Sequence, residues 1–294
     1  MPELVRRAND KGVKCFLWQT AKLSDSKDFS DEYMEKTLKQ WAGWGIKGIK
    51  IDFWEDDSYV TMKRMEKLLD LCGKYKMMVN YHGCIRPSGL RRTYPYLMTQ
   101  EGICGGETNF WWPSNITGAH HLDLIFTRNV VGAADYTPGD FASFYGSILT
   151  GQSMGHHMAL MTAFESGITH IAECPENLRH FLGKDIMKRL PTAWDESRLL
   201  EGKLLKYATI ARRSGEDWWV SGLCTDARNC KLTFDFLEEG RTYTAYIYRD
   251  GNCRSDLKFN KVQVKKGSSL NIKELSEGGF LVQVSPRADL DSPV

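Results

Sequence analysis

The sequence predicts an α/β fold with a parallel sheet over residues 1–204, followed by a small antiparallel β domain over residues 205–294. Up to about residue 200, short apolar runs alternate with amphipathic stretches of helical spacing. Beyond that point the helical signals stop, and short alternating runs punctuated by Gly, Asn and Asp take over. A third observation locates the chemistry: the predicted parallel strands end in polar, titratable residues, and parallel α/β barrels keep their reacting groups at that end.

Residues 2–11 read as a helix closed by Gly12, and residues 13–19 (VKCFLWQ) as a buried strand. Residues 31–44 place Tyr33, Met34, Leu38 and Trp41 at helical spacing, with Ser30 as N-cap and Gly45 as the stop. The isoleucine-rich run 46–53 (IKGIKIDF) is the second strand. A helix follows over 58–75, apolar at Met62, Met65, Leu68, Leu69 and Cys72. Residues 77–81 (MMVNY) and 97–103 (LMTQEGI) are the third and fourth strands. Less regular signals predict a helix over 121–130, a short strand ending near Asp135, a helix over 154–164 and a strand over 168–173. From Lys206 the runs YATIARR, DWWVSGLC, KLTFDF, TYTAYIYRDG and FLVQV predict antiparallel strands. The polar tail after Val284, with Pro286 and Pro293, is expected to be disordered.

Composition narrows the partners. A net charge of +2 with Lys and Arg spread along the chain argues against nucleic acid. No run of about 18 apolar residues is present to span a membrane. Nine tryptophans and twelve tyrosines suit either a large aromatic core or the apolar faces of sugars. The eight cysteines form no C-x-x-C pair, so a zinc site is not expected; a Cys224–Cys230 disulfide is conceivable on spacing alone. The first residues contain no apolar signal-peptide region and begin inside an amphipathic helix, as a fragment would.

Three predicted strands end in residues suited to catalysis: Lys50-Ile51-Asp52-Phe53, Asn80-Tyr81-His82-Gly83, and Glu101 followed by Glu107. A carboxylate at the end of a buried strand is costly unless it is paired or reactive. Lys50 and Asp52, two residues apart, point to the same side, so a buried ion pair and a catalytic carboxylate both remain open. Two carboxylates from neighbouring strand ends are what glycoside hydrolysis requires.

The blocks GIKGIKIDFWEDD, VNYHGCIRPSGLRRTYPYLMTQEGICGGE and DYTPGDF resemble glycoside hydrolase family 97, and the strand–helix frame and C-terminal β domain extend the resemblance over nearly the whole chain. The resemblance implies a (β/α)8 TIM-type barrel that is N-terminally truncated. Residues 1–204 would then hold strands 3–8, without the N-terminal β-sandwich domain or the first two strands. It implies that Asp52 is the nucleophile of a retaining enzyme and Glu107 its general acid/base, about 5–6 Å apart. Inverting members carry a glutamate base directly after the histidine, where this sequence has Gly83.

The activity implied is that of an exo-acting retaining α-glycosidase, an α-galactosidase, on an oligosaccharide or α-glycoside. An α-glucosidase of the same family and an inactive carbohydrate-binding fragment are the alternatives. Calcium at Glu101 and Glu107 is implied for the complete enzyme, weak or absent in this chain alone. Lys50 and His82 match sugar-contacting positions, and Lys50 is expected to keep Asp52 ionised. Arg92 could orient a carboxylate or serve as a structural tie. Trp111 and Trp112 could line the pocket mouth or pack in the core. Asp135 could bind a sugar hydroxyl or form an Asx turn before Thr137 and Pro138. A periplasmic or extracellular bacterial setting follows from the resemblance. The adjacent pairs His120-His121 and His156-His157 are discounted as metal ligands, because neighbours on a helix do not converge on one ion.

Overall fold

The computed structural model describes residues 1–21, 31–54, 56–111, 116–139 and 151–293. These divide into two compact units. The first comprises Met1–Ile103 with two returning segments, Val131–Asp135 and Ser166–Ile168; the second comprises Cys104–Val130, Tyr136–Glu165 and Thr169–Val294.

In the first unit the chain runs α1 (Pro2–Asp10), β1 (Phe16–Thr20), α2 (Asp31–Trp44), β2 (Gly48–Asp52), α3 (Tyr59–Lys74), β3 (Met78–Tyr81), α4 (Leu90–Thr93) and β4 (Leu97–Gln100). The four strands form a parallel sheet in sequence order, as βαβ crossovers dictate. Helix α3 starts where the Ser58 side chain accepts the Thr61 N–H and ends with Lys74 in its last turn, favourable at both ends. Ile49 and Ile51 of β2 pack with Leu38 of α2 and with Met65, Leu68 and Leu69 of α3 in one core. Each such burial is worth roughly 1.5–3 kcal/mol. Strand alternation therefore sends Lys50 and Asp52 to the opposite face.

Beyond β4 the parallel pairing dwindles among the described residues. Near Asp135 it is a single bridge from Gln100 to Ala134, and the strand expected over 168–173 is one bridge between Gly139 and Ala172. Pro138 has no N–H to donate, so only its carbonyl takes part, accepting from Ala172 at 2.9 Å. The fold seen is thus a four-stranded parallel sheet with helices, rather than the six βα units expected.

The second unit begins with α5 (Thr108–Trp111), α6 (Gly118–Phe126), α7 (Met154–Ala163), α8 (Pro175–His180) and α9 (Lys184–Met187). Strands β5 (Glu196–Lys203), β6 (Tyr207–Ser214), β7 (Asp217–Cys224), β8 (Arg228–Thr233), β9 (Thr242–Asp250), β10 (Leu257–Lys265), β11 (Ser269–Glu274) and β12 (Gly279–Ser285) follow. Six form an antiparallel sheet in the order β10-β9-β12-β7-β6-β5, and β8 pairs with β11. Alternation along β7 and β12 builds two cores. Trp218, Val220, Phe280 and Val282 pack toward Leu232 and Ile272 of the two-stranded sheet. Trp219 and Leu281 pack on the other face with Met158 and Met161 of α7.

Four expectations are corrected here. The antiparallel sheet opens at Glu196, not near 205, and α7, expected in the barrel, belongs to the second unit. Strands β5, β10 and β11 went unread because they are edge or surface strands rich in polar residues. The tail is tied down: Arg189 donates to the Asp291 carbonyl at 2.7 Å, Lys261 to that of Ala288 at 2.6 Å, and Leu290 N–H to the Tyr246 hydroxyl at 3.1 Å. All eight cysteines are free, Cys224 and Cys230 included. No described helix is long and apolar enough to cross a membrane.

Candidate active site

The polar groups of the first unit collect at the C-terminal ends of β2, β3 and β4, on the face away from the helices. Backbone bonds tie these ends together: His82 N–H donates to the Ile51 carbonyl, Trp54 N–H to that of Gly83, and Glu101 N–H to that of Tyr81, each at 2.8 Å. Asp52 closes β2 with its Oδ1 accepting the Phe53 N–H at 2.7 Å and its Oδ2 accepting the Trp18 indole N–H at 3.1 Å. Phe53 has φ 62°, a left-handed backbone uncommon for a non-glycine residue and a recurrent feature of functional sites.

Gly83 lies against this carboxylate with φ 50°. A Cβ there would stand 2.5 Å from both Asp52 Oδ1 and Phe53 N. The absence of a side chain at 83 is therefore what makes room for Asp52.

Asp135 is the hub of the site. Its N–H donates to the Gln100 carbonyl at 3.0 Å, which sets it beside the end of β4. Its Oδ2 accepts from Lys50 Nζ at 2.9 Å and Asn80 Nδ2 at 2.9 Å, and lies 2.7 Å from His82 Nδ1. The Asp135 side chain is fully buried and that of Lys50 nearly so. His82 Nε2 in turn lies 3.1 Å from Glu101 Oε1, while Glu101 Oε2 accepts the Gly83 N–H at 2.7 Å. With both carboxylates ionised, each ring nitrogen must carry a proton, because a carboxylate only accepts. Lys50, His82, Asp135 and Glu101 then form a charge-balanced quartet, the condition under which buried charges are tolerated.

Several sequence-based expectations change. Lys50 does not pair with Asp52: its ammonium reaches Asp135, a partner three strands away that local spacing could not show. Asp135 is buried with its carboxylate given to three protein donors, so it organises the site instead of facing a sugar. Arg92 is exposed on α4, and its neighbour Arg91 bonds the carbonyl of Leu97, the first residue of β4. Trp111 ends α5, but its side chain, like Trp112, lies outside the described residues. Two residues had been given no role, Asn80 being named only as part of a strand end. Asn80 donates into the hub, and Trp18 bonds Asp52; parity with Thr20, the β1 residue in register with Asp52, was the available signal for Trp18.

The nitrogen donors around Glu101 bear on calcium. Both its oxygens already face N–H groups, from His82 and Gly83, whereas calcium takes about six to eight oxygen ligands. Each oxygen keeps a second lone pair, so Glu101 can still ligate, but the first unit by itself offers too few oxygens to complete a calcium shell.

Glu107 belongs to the second unit and is exposed. The residue before it, Gly106, donates its N–H to the Tyr136 carbonyl at 2.8 Å. Behind Tyr136 lies a chain of buried groups. His156 Nδ1 lies 3.1 Å from the Gly278 carbonyl, which only accepts, so its proton sits there and its Nε2 is free to accept from His121 Nδ1 at 2.8 Å. His121 Nε2 then accepts from the Tyr136 hydroxyl. Burial pushes His156 down to about 3 and His157 to about 4, and holds His121 well below the ordinary histidine range, in keeping with neutral rings. The two discounted histidine pairs thus do meet, one member from each, through hydrogen bonding.

Two family models match the chain: "Glycoside hydrolase 97" over residues 1–103, and "Glycosyl-hydrolase 97 C-terminal, oligomerisation" over residues 193–285. The retaining alpha-galactosidase of Bacteroides thetaiotaomicron is 30% identical over 300 residues, covering 97% of this chain and 44% of its own length. A family 97 enzyme of Pseudoalteromonas sp. strain K8, solved in complex with panose, superposes with TM-score 0.87 at 25% identity, covering 96% of this chain and 48% of that one. A solved beta-arabinopyranosidase gives TM-score 0.81 at 25% identity with the same coverage. The chain spans less than half the length of the curated relatives it matches.

Proposed function

Because the chain belongs to glycoside hydrolase family 97, we propose that the protein carrying it is a retaining α-glycosidase, an α-galactosidase, with Asp52 as nucleophile and Glu107 as general acid/base. In this reading β1 to β4 are the third to sixth strands of a (β/α)8 barrel, and the sugar sits over their C-terminal ends. An Asp52 oxygen attacks the anomeric carbon as the C–O bond to the leaving group breaks, and Glu107 gives that oxygen its proton. The product is a glycosyl ester of Asp52 of inverted anomeric configuration. Glu107, now a carboxylate, takes a proton from water, and the hydroxide oxygen displaces Asp52 to give a sugar of the original configuration. Lys50, held by Asp135, presents a fixed donor to sugar hydroxyls, so its ordering is complete before substrate arrives, whereas His82, with both ring nitrogens turned to Asp135 and Glu101, braces the site.

The observation that carries the reading is the fit between Asp52 and Gly83. A Cβ at 83 would stand 2.5 Å from Asp52 Oδ1, so a side chain there crowds the carboxylate at 52, and the glutamate base of inverting members would occupy 83. The retaining alpha-galactosidase relative supports the sugar assigned. An α-glucosidase is the second reading, supported by the panose complex of the Pseudoalteromonas enzyme. Calcium at Glu101 and Glu107 stays within the proposal for the complete protein. So does a periplasmic or extracellular setting.

The test is Asp52→Ala in the complete gene product, assayed on aryl α-galactosides, α-glucosides and β-arabinopyranosides. Turnover should nearly vanish, and azide should restore part of it as the β-glycosyl azide from an α-glycoside. Normal turnover in the variant, or a product of inverted configuration from the wild type, removes Asp52 from the nucleophile role.

A further inference from the structure

Trp18 sits on β1 in register with Lys50, on the face that carries Asp52. Its indole N–H points at Asp52 Oδ2 at 3.1 Å, while its residue surface is 54% exposed. Burial does not explain this placement, since a tryptophan seeking only a core would turn to the helix side, where Ile49 and Ile51 pack. Phe53, 47% exposed, meets the Trp18 ring edge-on, with centroids 6.2 Å apart and planes at 86°. The two rings and the carboxylate form one corner: a charged group held by an N–H, with two aromatic rings beside it.

Resting on the assignment of Asp52 as nucleophile, we propose that Trp18 is a positioning and specificity residue for the reaction. Its N–H holds the second carboxylate oxygen of Asp52 in the attacking orientation, and its ring, beside the nucleophile, is the platform for the apolar C–H face of the sugar. The chemistry of the corner fits both parts. Each Asp52 oxygen has one N–H donor, Phe53 for Oδ1 and Trp18 for Oδ2. With both held, the carboxylate cannot rotate about its last bond without losing a charge-assisted hydrogen bond, which is among the stronger kind. An N–H that binds the ionised group more tightly than the ester also eases departure of Asp52 in the second step. The backbone donor cannot be removed by substitution, whereas the indole can. A flat apolar ring next to a nucleophile suits a pyranose, whose C–H bonds make up an apolar face.

Trp18→Phe keeps the ring and deletes the N–H; Trp18→Leu deletes both. In the complete gene product, Trp18→Phe should lower kcat about tenfold, the effect of one hydrogen bond to a charged group, with KM within about twofold. Trp18→Leu should show the same loss in kcat and also raise KM several-fold. The decisive arm is a cycle with Asp52→Gly, whose azide-rescued rate no longer uses the Asp52 carboxylate. There Trp18→Phe should have no further effect beyond about twofold, because the group it positions is gone. The inference is overturned if Trp18→Phe leaves kcat unchanged, or slows the azide-rescued reaction as much as it slows the wild type, since that marks a general structural role. If Asp52→Gly alone retains full turnover, the nucleophile assignment itself fails and this inference falls with it.

Discussion

Gly83→Ala is the sharpest perturbation the site offers, because it adds one carbon against the proposed nucleophile. The new Cβ would lie 2.5 Å from Asp52 Oδ1 and from Phe53 N, and 3.0 Å from Phe53 Cα. Ordinary contact begins at 3.4 Å, so something must move by roughly 0.9 Å in a close-packed corner. The Phe53 backbone is pinned on both sides, by the left-handed turn and by Trp54 N–H on the Gly83 carbonyl at 2.8 Å. Swinging the Asp52 carboxylate away relieves only its own clash; the one with Phe53 N needs a backbone shift, and either route displaces the carboxylate. A misplacement of about 1 Å at a reacting group costs on the order of 100-fold in rate. The left-handed backbone at 83, φ 50°, adds about 1–2 kcal/mol of strain for any residue with a Cβ. Steady-state kinetics on an aryl α-galactoside should show kcat down about 100-fold with a small change in KM, and a thermal midpoint lowered by a few degrees. In an Asp52→Ala background the same substitution should cost no further activity. A Gly83→Ala enzyme within threefold of wild-type kcat would refute the claim that position 83 is kept bare for Asp52.

Three further outcomes follow from the two units. Asp135→Asn leaves the Lys50 ammonium without its buried counter-ion, so chemical denaturation should report a loss of about 3 kcal/mol; a variant of unchanged stability would show that the quartet is not charge-coupled. His156 and His157 have folded pKa values of about 3 and about 4, below the unfolded value near 6.5. The unfolded chain therefore takes up protons that the native state refuses, and stability falls as pH drops from about 6.5 toward 4, by up to about 2.7 kcal/mol per pH unit for the two together. Urea midpoints that stay level from pH 7 to pH 5 would contradict this. Calorimetry on this chain alone should find calcium binding weak, because Glu101 and Glu107 supply too few of the roughly six to eight oxygen ligands that calcium takes; tight binding would mean that other oxygen ligands of this chain complete the shell.

Much of the fold was legible because one-dimensional patterns encode it. The isoleucines of β2 recur at period two and the apolar residues of α3 at period 3.6, so both elements and their buried faces could be read directly. The strands that escaped notice, β5, β10 and β11, are edge or surface strands whose polar residues carry no such signal. Their partners supply the pairing, and pairing is a property of the sheet.

By itself the sequence determined the alternation of strands and helices, the change to antiparallel structure in the C-terminal part, the family, and the chemical identity of the groups at the strand ends. Local parity even placed Lys50 and Asp52 on one face. Which charge meets which was decided only in three dimensions. Lys50 reaches Asp135, 85 residues along the chain; Trp18 reaches Asp52 from the neighbouring strand; and His121 finds His156 across 35 residues. The physical reason is range. Backbone periodicity is set by residues a few positions apart, whereas a buried ion pair or hydrogen bond is chosen by whichever partner the packed sheet brings within about 3 Å, and sequence distance does not enter that choice.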